Sequence, residues 1–292
     1  MKRFIIGLGE VLWDILPQGK QLGGAPTNFA YHVGQFGFNS KVVSAIGNDL
    51  LGAEVKDFMS LRDIDNYLAI SNYPTGTVEV ELDSLGIPSY QIKEEVAWDY
   101  IPFDAQIKAI AQNTQAVCFG TLAQRASTSH KTIHEFLKAM PKDQNTLKIF
   151  DINLRQSFYT KEVIEASLKV CNTLKINDEE LIIVDRLFEL EGKNAEHICR
   201  SLMDKFEIST LILTCGAHGS HVFIEQKHSF KETPKVNVID TVGAGDSFTA
   251  SFCASILRGM SMREAHQRAV DVSAFVCSNA GAMPKLLPEH LI

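Results

Sequence analysis

Asp240-Thr241-Val242-Gly243-Ala244-Gly245-Asp246 runs straight into Ser247-Phe248-Thr249-Ala250. Phe248, Phe252 and Ile256 then recur at helical spacing, so a loop of small residues opens a buried helix. The first N–H groups of such a helix have no intrahelical acceptor, and the positive end of its dipole lies beside them. Together they make an anion cradle, and glycine and alanine let a phosphate come close to the backbone. A carboxylate inside an anion site repels the ligand. Asp246 is therefore either a proton acceptor or a plain N-cap behind a flexible loop, and the local pattern leaves both open. The run lacks the Lys-Ser/Thr ending of a Walker A loop, which excludes a P-loop.

Outward from this helix, short β-type runs alternate with helical patterns. Phe4 to Leu8, Lys41 to Ile46, Ala116 to Phe119, Leu147 to Asp151, Thr173 to Ile176 and Thr210 to Thr214 read as strands. Pro26 to Phe36 and Leu51 to Leu61 read as helices, the first with Phe29, Val33 and Phe36 on one face. The alternation predicts an α/β protein with a mostly parallel sheet covered on both faces. Two places break it. A short polar stretch with Pro17 and Gly19 separates Asp14 from Gly23, and Thr77 to Leu82 alternates apolar with polar residues. After a turn at Ser84 to Gly86, Ile87 to Ile92 can return antiparallel. These pieces predict a small half-exposed sheet, marginal alone, that packs on a substrate, the main body or another subunit.

The 292 residues are 45% hydrophobic and 22% charged, ordinary for one large globular domain. A formal charge of −7 gives no general attraction to nucleic acid or an anionic membrane. No stretch approaches the ~18 apolar residues of a membrane span. The N-terminal apolar run is too short for a signal peptide. Cys118, Cys171, Cys199, Cys215, Cys253 and Cys277 form no CxxC pair and read as reduced thiols. The expectation is a soluble, cytoplasmic protein with neither nucleic-acid nor membrane partners.

A second run, Gly23-Gly24-Ala25-Pro26-Thr27-Asn28, also enters a helix. Asn28 either offers its amide to a polar ligand or belongs to a tight turn with a cap. Gly7-Leu8-Gly9 looks like half of a dinucleotide fingerprint, but Leu12 stands where the third glycine belongs. The two helix-opening runs together resemble the signatures of the ribokinase/fructokinase (pfkB-type) family of carbohydrate kinases. The first matches from Gly23 through Gly47, with Gly24, Pro26, Asn28, Ala30 and Gly37 in place; the second matches from Asp240 through Ala250 and departs at Ser251. Asp151-Ile152-Asn153-Leu154-Arg155 looks like the family's DxNxR segment, Asn177 to Glu180 like its NxxE motif, and Thr214 to Gly219 like its TxGxxG nucleotide loop. Gly19, Gly23 to Pro26, Trp98-Asp99 and Phe119 to Ala123 most resemble fructokinases, bacterial ones above all.

The resemblance implies a ribokinase-like three-layer α/β/α sandwich with a small β-sheet lid. Residues 1–292 would be one kinase domain, with lid segments at about 14–23 and 72–98. It implies ATP-dependent phosphorylation of a monosaccharide's primary hydroxyl, first D-fructose to fructose 6-phosphate. The alternatives are ribose, 2-keto-3-deoxygluconate or a nucleoside as substrate, or a catalytically silent sugar-binding relative. A nicotinamide oxidoreductase stands third. Asp246 would be the base, with Gly243 and the amides of Ala244, Gly245 and Asp246 around the phosphoryl oxygens and Arg155 as a mobile positive charge. Asp14, Gly23, Gly24 and Asn28 would hold the sugar, and Asn177, Thr214, Gly216, Gly219 and Gly245 the nucleotide. Glu180 would place Mg²⁺ through water, and carbonyls at Asp240, Val242, Val276, Asn279 and Gly281 would hold K⁺. A homodimer would form through the lid. Trp98 reads as a lid-edge residue or a sugar stacker, Arg125 as a substrate contact or a surface residue, and His32 as a helix-surface side chain. His218 and Glu179 read as solvated.

Overall fold

Along each buried strand, alternate residues serve different cores, so the sheet is covered on both faces. The computed structural model describes residues 3–16, 19–82, 88–143, 145–190 and 192–291. In chain order its strands are β1 (Phe4–Leu8), β2 (Leu12–Leu16), β3 (Gly19–Gly23), β4 (Ser40–Gly47), β5 (Asn66–Ser71), β6 (Gly76–Leu82) and β7 (Pro88–Ile92). They continue with β8 (Thr114–Phe119), β9 (Leu147–Asp151), β10 (Thr173–Asn177), β11 (Thr210–Thr214), β12 (Ser220–Ile224) and β13 (Lys227–Lys231). Ile6 and Leu8 of β1 join Val117 and Phe119 of β8 in one core. Ile5, Ala116 and Cys118 face the other way, onto Phe29, Val33, Ala250 and Cys253 of two helices. The result is a three-layer α/β/α sandwich.

The large sheet has the order β13-β12-β11-β10-β9-β8-β1-β4-β5. All its pairs from β11 to β5 are parallel; β12 and β13 return antiparallel at one edge. Every strand expected from the sequence forms, within the described residues. Strands β5, β12 and β13 carried no expectation. The expected turn at Ser84 to Gly86, and Ile87, lie outside the described residues.

The two breaks in the alternation come together as a second sheet, β3-β2-β6-β7. The polar stretch is a hairpin whose ladder runs from Leu12 opposite Gly23 to Leu16 opposite Gly19. Strand parity again divides its faces. Trp13 and Leu22 are buried against the main body, with the Trp13 indole N–H donating to Leu51 O at 3.1 Å. Leu12, Asp14, Leu16, Gln21, Val78 and Ile92 face a large cleft.

Of three further side chains, one is decided between its two readings and two differ from expectation. Trp98 is fully buried in the main core, in a short 3₁₀ turn (Ala97–Tyr100). Its indole nitrogen packs on Gly76, the first residue of β6, where a Cβ would stand 2.3 Å from Trp98 Nε1. Of its two readings the packing residue at the edge of the small sheet therefore holds; Trp98 does not line the cleft. Arg125 is neither at the surface nor in the cleft. Its guanidinium stacks 4.0 Å from the Trp98 ring and 4.7 Å from the Phe158 ring. It also holds Asp99 through two hydrogen bonds of 2.8 Å, a bidentate pair that satisfies both buried charges. His32 is not on a helix surface but fully buried. Burial depresses its pKa to about 4. Its neutral ring donates Nε2–H to Ala282 O at 2.9 Å and accepts from Gln35 at Nδ1. His218 and Glu179 are exposed and the cysteines unpaired, as expected. Among the described residues no helix is long and apolar enough to cross a membrane.

Candidate active site

The carboxyl ends of β1, β9, β10 and β11 open onto one cleft of about 1560 Å³. Open parallel sheets place their ligand crevices there. Glu10 follows β1, Asp151 ends β9, Asn177 ends β10 and Thr214 ends β11. Asp14, Gly23, Gly24, Asn28, Arg155, Asn177, Glu180, Thr214, Gly216, Gly219, Asp240 and the run Val242 to Asp246 all line the cleft. Val276, Asn279 and Gly281 do not line it; they sit behind the loop at Asp240.

Helix Ala244–Leu257 begins with Gly243 in the N-cap position, at φ +77°. Asp246 is the third residue of the helix, so the N-cap alternative falls. Its Oδ2 instead accepts from Asn28 Nδ2 at 2.8 Å. Helix Ala25–Gln35 is capped by Gly24, so Asn28 does not cap it either, and its side chain reaches across to the second motif. Burial raises the Asp246 pKa to about 6, helped by the Asp151 charge and opposed by the Asn28 hydrogen bond, Lys175 and Arg155. At neutral pH the carboxylate is ionised yet holds a proton better than an ordinary aspartate, as a general base requires. Of the three amides expected at the anion cradle, that of Ala244 turns back to Thr241 O at 3.3 Å. Those of Gly245 and Asp246 remain for a ligand. Asp240 fixes the loop from below, accepting from Val242 N and Gly281 N at 3.0 Å each.

The NxxE motif opens helix Asp178–Phe188 as a reciprocal cap. Asn177 Oδ1 accepts from Glu180 N at 2.8 Å, and Glu180 Oε2 accepts from Asn177 N at 2.9 Å. Glu180 Oε1 takes the amide of Leu154 at 2.9 Å, which locks the DxNxR segment onto the same helix. Asn153 and Gln156 on either side of that contact both have φ +47°, a sparsely populated conformation for non-glycine residues. Between them Arg155 stands exposed beside the cleft, with Nη1 on Leu154 O at 3.1 Å.

The family model for pfkB family carbohydrate kinases matches residues 17–289. The chain belongs to that family. The kinase is 26% identical over 262 residues to a fructokinase of Salmonella typhimurium, covering 85% of this chain and 83% of that one. It is 25% identical over 300 residues to an ATP-dependent 6-phosphofructokinase of Thermoanaerobacterium thermosaccharolyticum, covering 97% and 90%. The crystal structure of a fructokinase of Xylella fastidiosa with bound ATP superposes with a TM-score of 0.84 at 19% identity, over 97% of this chain and 94% of that one. The fold is thus that of the ribokinase-like sugar kinases. The activity class is a phosphotransferase acting on an alcohol group of a sugar.

Sequence reading missed two charged residues of the kinase's cleft. Glu10 is 2% exposed. Its Oε1 accepts from Ala25 N at 3.2 Å, and its Oε2 has no partner among the described residues. Burial pushes its pKa up to about 7, with the Asp246 charge adding to the shift. Lys175 lies in the middle of the buried strand β10 with its ammonium 3.1 Å from Asp151 Oδ1. Each left a signal. Glu10 directly follows a buried strand at the sheet's ligand edge, and a lysine between Leu174 and Ile176 needs a buried counter-charge. Glycine is demanded at Gly24, where φ is +110° and a Cβ would stand 2.3 Å from Glu10 O.

Proposed function

We propose that this kinase transfers the γ-phosphoryl group of ATP to the primary hydroxyl of a free monosaccharide, D-fructose first, in the cytoplasm. The observation that carries the reading is the Asn28–Asp246 hydrogen bond, which joins the sugar motif to the anion loop in one cleft. Around it two acceptor atoms, Asn28 Oδ1 and Glu10 Oε2, are buried without partners among the described residues. A polyhydroxylated ligand supplies the donors they lack. Asp246 accepts the proton of the attacking hydroxyl, and the Gly245 and Asp246 amides receive the transferring phosphoryl oxygens. Thr214, Gly216 and Gly219 line the same cleft and would hold the nucleotide. The small sheet acts as the lid, excluding water from the transfer. A homodimer through it would use β6 and β7, since Trp13 and Leu22 already pack on the kinase's own body.

The residues fit a nucleotide-bound Mg²⁺. Each oxygen of Glu180 accepts one backbone amide and keeps one lone pair, which suits contact with an ion through water rather than direct ligation. Among the described residues no three acidic, His or Cys side chains gather as a metal cage. When bound, Mg²⁺ would neutralise phosphate charge. Asp240 and Val242 meet the segment from Val276 to Gly281 through Asp240 N–H donating to Cys277 O at 3.2 Å and Gly281 N–H donating to the Asp240 carboxylate. A monovalent cation among their carbonyls would hold the loop with its amides outward. Turnover should therefore rise severalfold in K⁺ over tetramethylammonium buffer, and equal rates would remove the cation from the reading.

The sugar is uncharged. Among the described side chains, those of the small sheet that face the cleft are apolar apart from Asp14 and Gln21. Lys93 is paired to Glu79 at 3.0 Å. A 6-phosphate would need clustered cations to offset its desolvation. Coupled ADP release with fructose, fructose 6-phosphate, ribose, 2-keto-3-deoxygluconate and adenosine tests this. Fructose should turn over best, and efficient turnover of fructose 6-phosphate without fructose would overturn it.

A further inference from the structure

The anion loop carries no lysine of its own, yet a lysine ammonium lies against it. Lys175 reaches up from β10 and is 8% exposed. A Cβ built on Gly245 would stand 2.9 Å from Lys175 Nζ, so the space a side chain at 245 would fill belongs to the ammonium. Gly245 is glycine for this reason as well as for any phosphate. Lys175 lines the same cleft as Gly245, Asn177 and Glu180. We propose that Lys175 is a catalytic residue whose ammonium contacts a phosphate oxygen of the bound nucleotide beside the Gly245 and Asp246 amides. It does from a neighbouring strand what a Walker A lysine does from within its loop. The inference rests on the reading that the Gly243 to Asp246 loop receives phosphate.

The bland alternative is that Lys175 only neutralises Asp151, 3.1 Å away. The surroundings speak against it. Asp151 also accepts from Thr249 Oγ1 at 3.0 Å, and the carboxylates of Glu180 and Asp246 act on the same ammonium. Three carboxylates around one ammonium leave the pocket negative where a triphosphate must enter. Such a pocket needs a fixed cation facing the ligand, and Arg155 by comparison is exposed to solvent. Burial disfavours the Lys175 ammonium, but the three carboxylates outweigh it and hold its pKa above the ordinary lysine value. Lysine at this site is therefore charged throughout the working pH range.

Lys175→Met alone strands a buried carboxylate and can unfold the chain. The informative variant is Lys175→Met/Asp151→Asn, which removes both charges at near-constant volume. Two measurements are made on wild type and this variant: kcat with the sugar that wild type uses best, and calorimetric affinity for ATP, AMP and adenosine. The double variant should melt cooperatively, lose about 10²–10³-fold in kcat, and bind ATP about 10- to 100-fold more weakly. Adenosine affinity should stay within about threefold, because no phosphate is involved. A folded double variant with kcat and ATP affinity both within about threefold of wild type would reduce Lys175 to a structural charge. If wild type itself binds ATP no better than adenosine, the phosphate-loop reading fails first, independently of Lys175. Should the double variant not fold, Lys175→Gln is measured in its place by the same ratio of ATP to adenosine affinity. An unchanged ratio there also overturns the proposal.

Discussion

Asp246→Asn lowers kcat by about 10²–10⁴-fold in a protein that still folds, the size expected when a general base is lost. Asn keeps the shape of the side chain and can keep a hydrogen bond to Asn28 by turning its amide. It cannot take a proton from a hydroxyl at neutral pH. The sign of the stability change follows from the raised pKa. The folded protein holds the Asp246 proton up to about pH 6 against an ordinary value of 3.8. Ionising the group therefore costs the folded state, and stability contributed by the protonated carboxyl is lost as pH rises through that window. The neutral Asn variant should melt at or above the wild-type temperature at pH 7.5. The same pKa predicts that wild-type kcat/KM falls as pH drops below about 6, and that this limb flattens in the variant. ATP affinity should hold or tighten, since a negative charge near the γ-phosphate is gone. A folded variant keeping more than about a tenth of wild-type kcat would contradict Asp246 as the base.

Asp14→Ala should cut kcat/KM for the sugar by roughly ten- to several-thousand-fold, the range for one or two charge-assisted hydrogen bonds. Its KM for ATP should stay within about threefold of wild type. Asp14 sits in the middle of β2, opposite Gln21 and Val78. A Cβ on Gly23 would stand 2.5 Å from its Oδ2, so the carboxylate lies across the bare glycine at the cleft wall. No protein group among the described residues donates a hydrogen bond to it. Burial raises its pKa to about 6 and the Arg155 charge opposes the rise, which leaves it ionised above neutrality. A folded variant with wild-type sugar KM and kcat would remove Asp14 from the site.

The sheet was legible because burial on both faces leaves unmistakable apolar runs such as Phe4 to Leu8 and Thr210 to Thr214. The edge strands β5 and β13 were not, because exposed residues such as Lys227, Phe230 and Ile70 break any clean pattern; β12, between β13 and β11, was missed with them. At the site, residues held in helix-opening loops could be read from local spacing. Lys175 and Glu10 left local signals but not their meaning, which depends on Gly245 and Asp246, far off in the chain and brought near only by the fold. Trp98 and Arg125 were open for the same reason: the Asp99 pair and the Phe158 ring that enclose Arg125 come from separate segments. His32 looked like surface because its partner, Ala282 O, is 250 residues away.

The parity of the small sheet has a further consequence for how such a protein can diverge. The proposed base, the proposed anion loop and the buried charges all stand at the carboxyl edge of the large sheet or on the helices that open there. The apolar wall is contributed by Leu12, Leu16, Val78 and Ile92 from a separate sheet that β2 and β3 root on the body through Trp13. On the proposed reading, a substitution at Val78 or Ile92 would reshape the acceptor's surroundings without moving a group proposed to handle the phosphoryl. Relatives naming fructose in one case and fructose 6-phosphate chemistry in another are what such a division allows. Selection can redraw the guest list at one wall while the machinery at the other stays untouched.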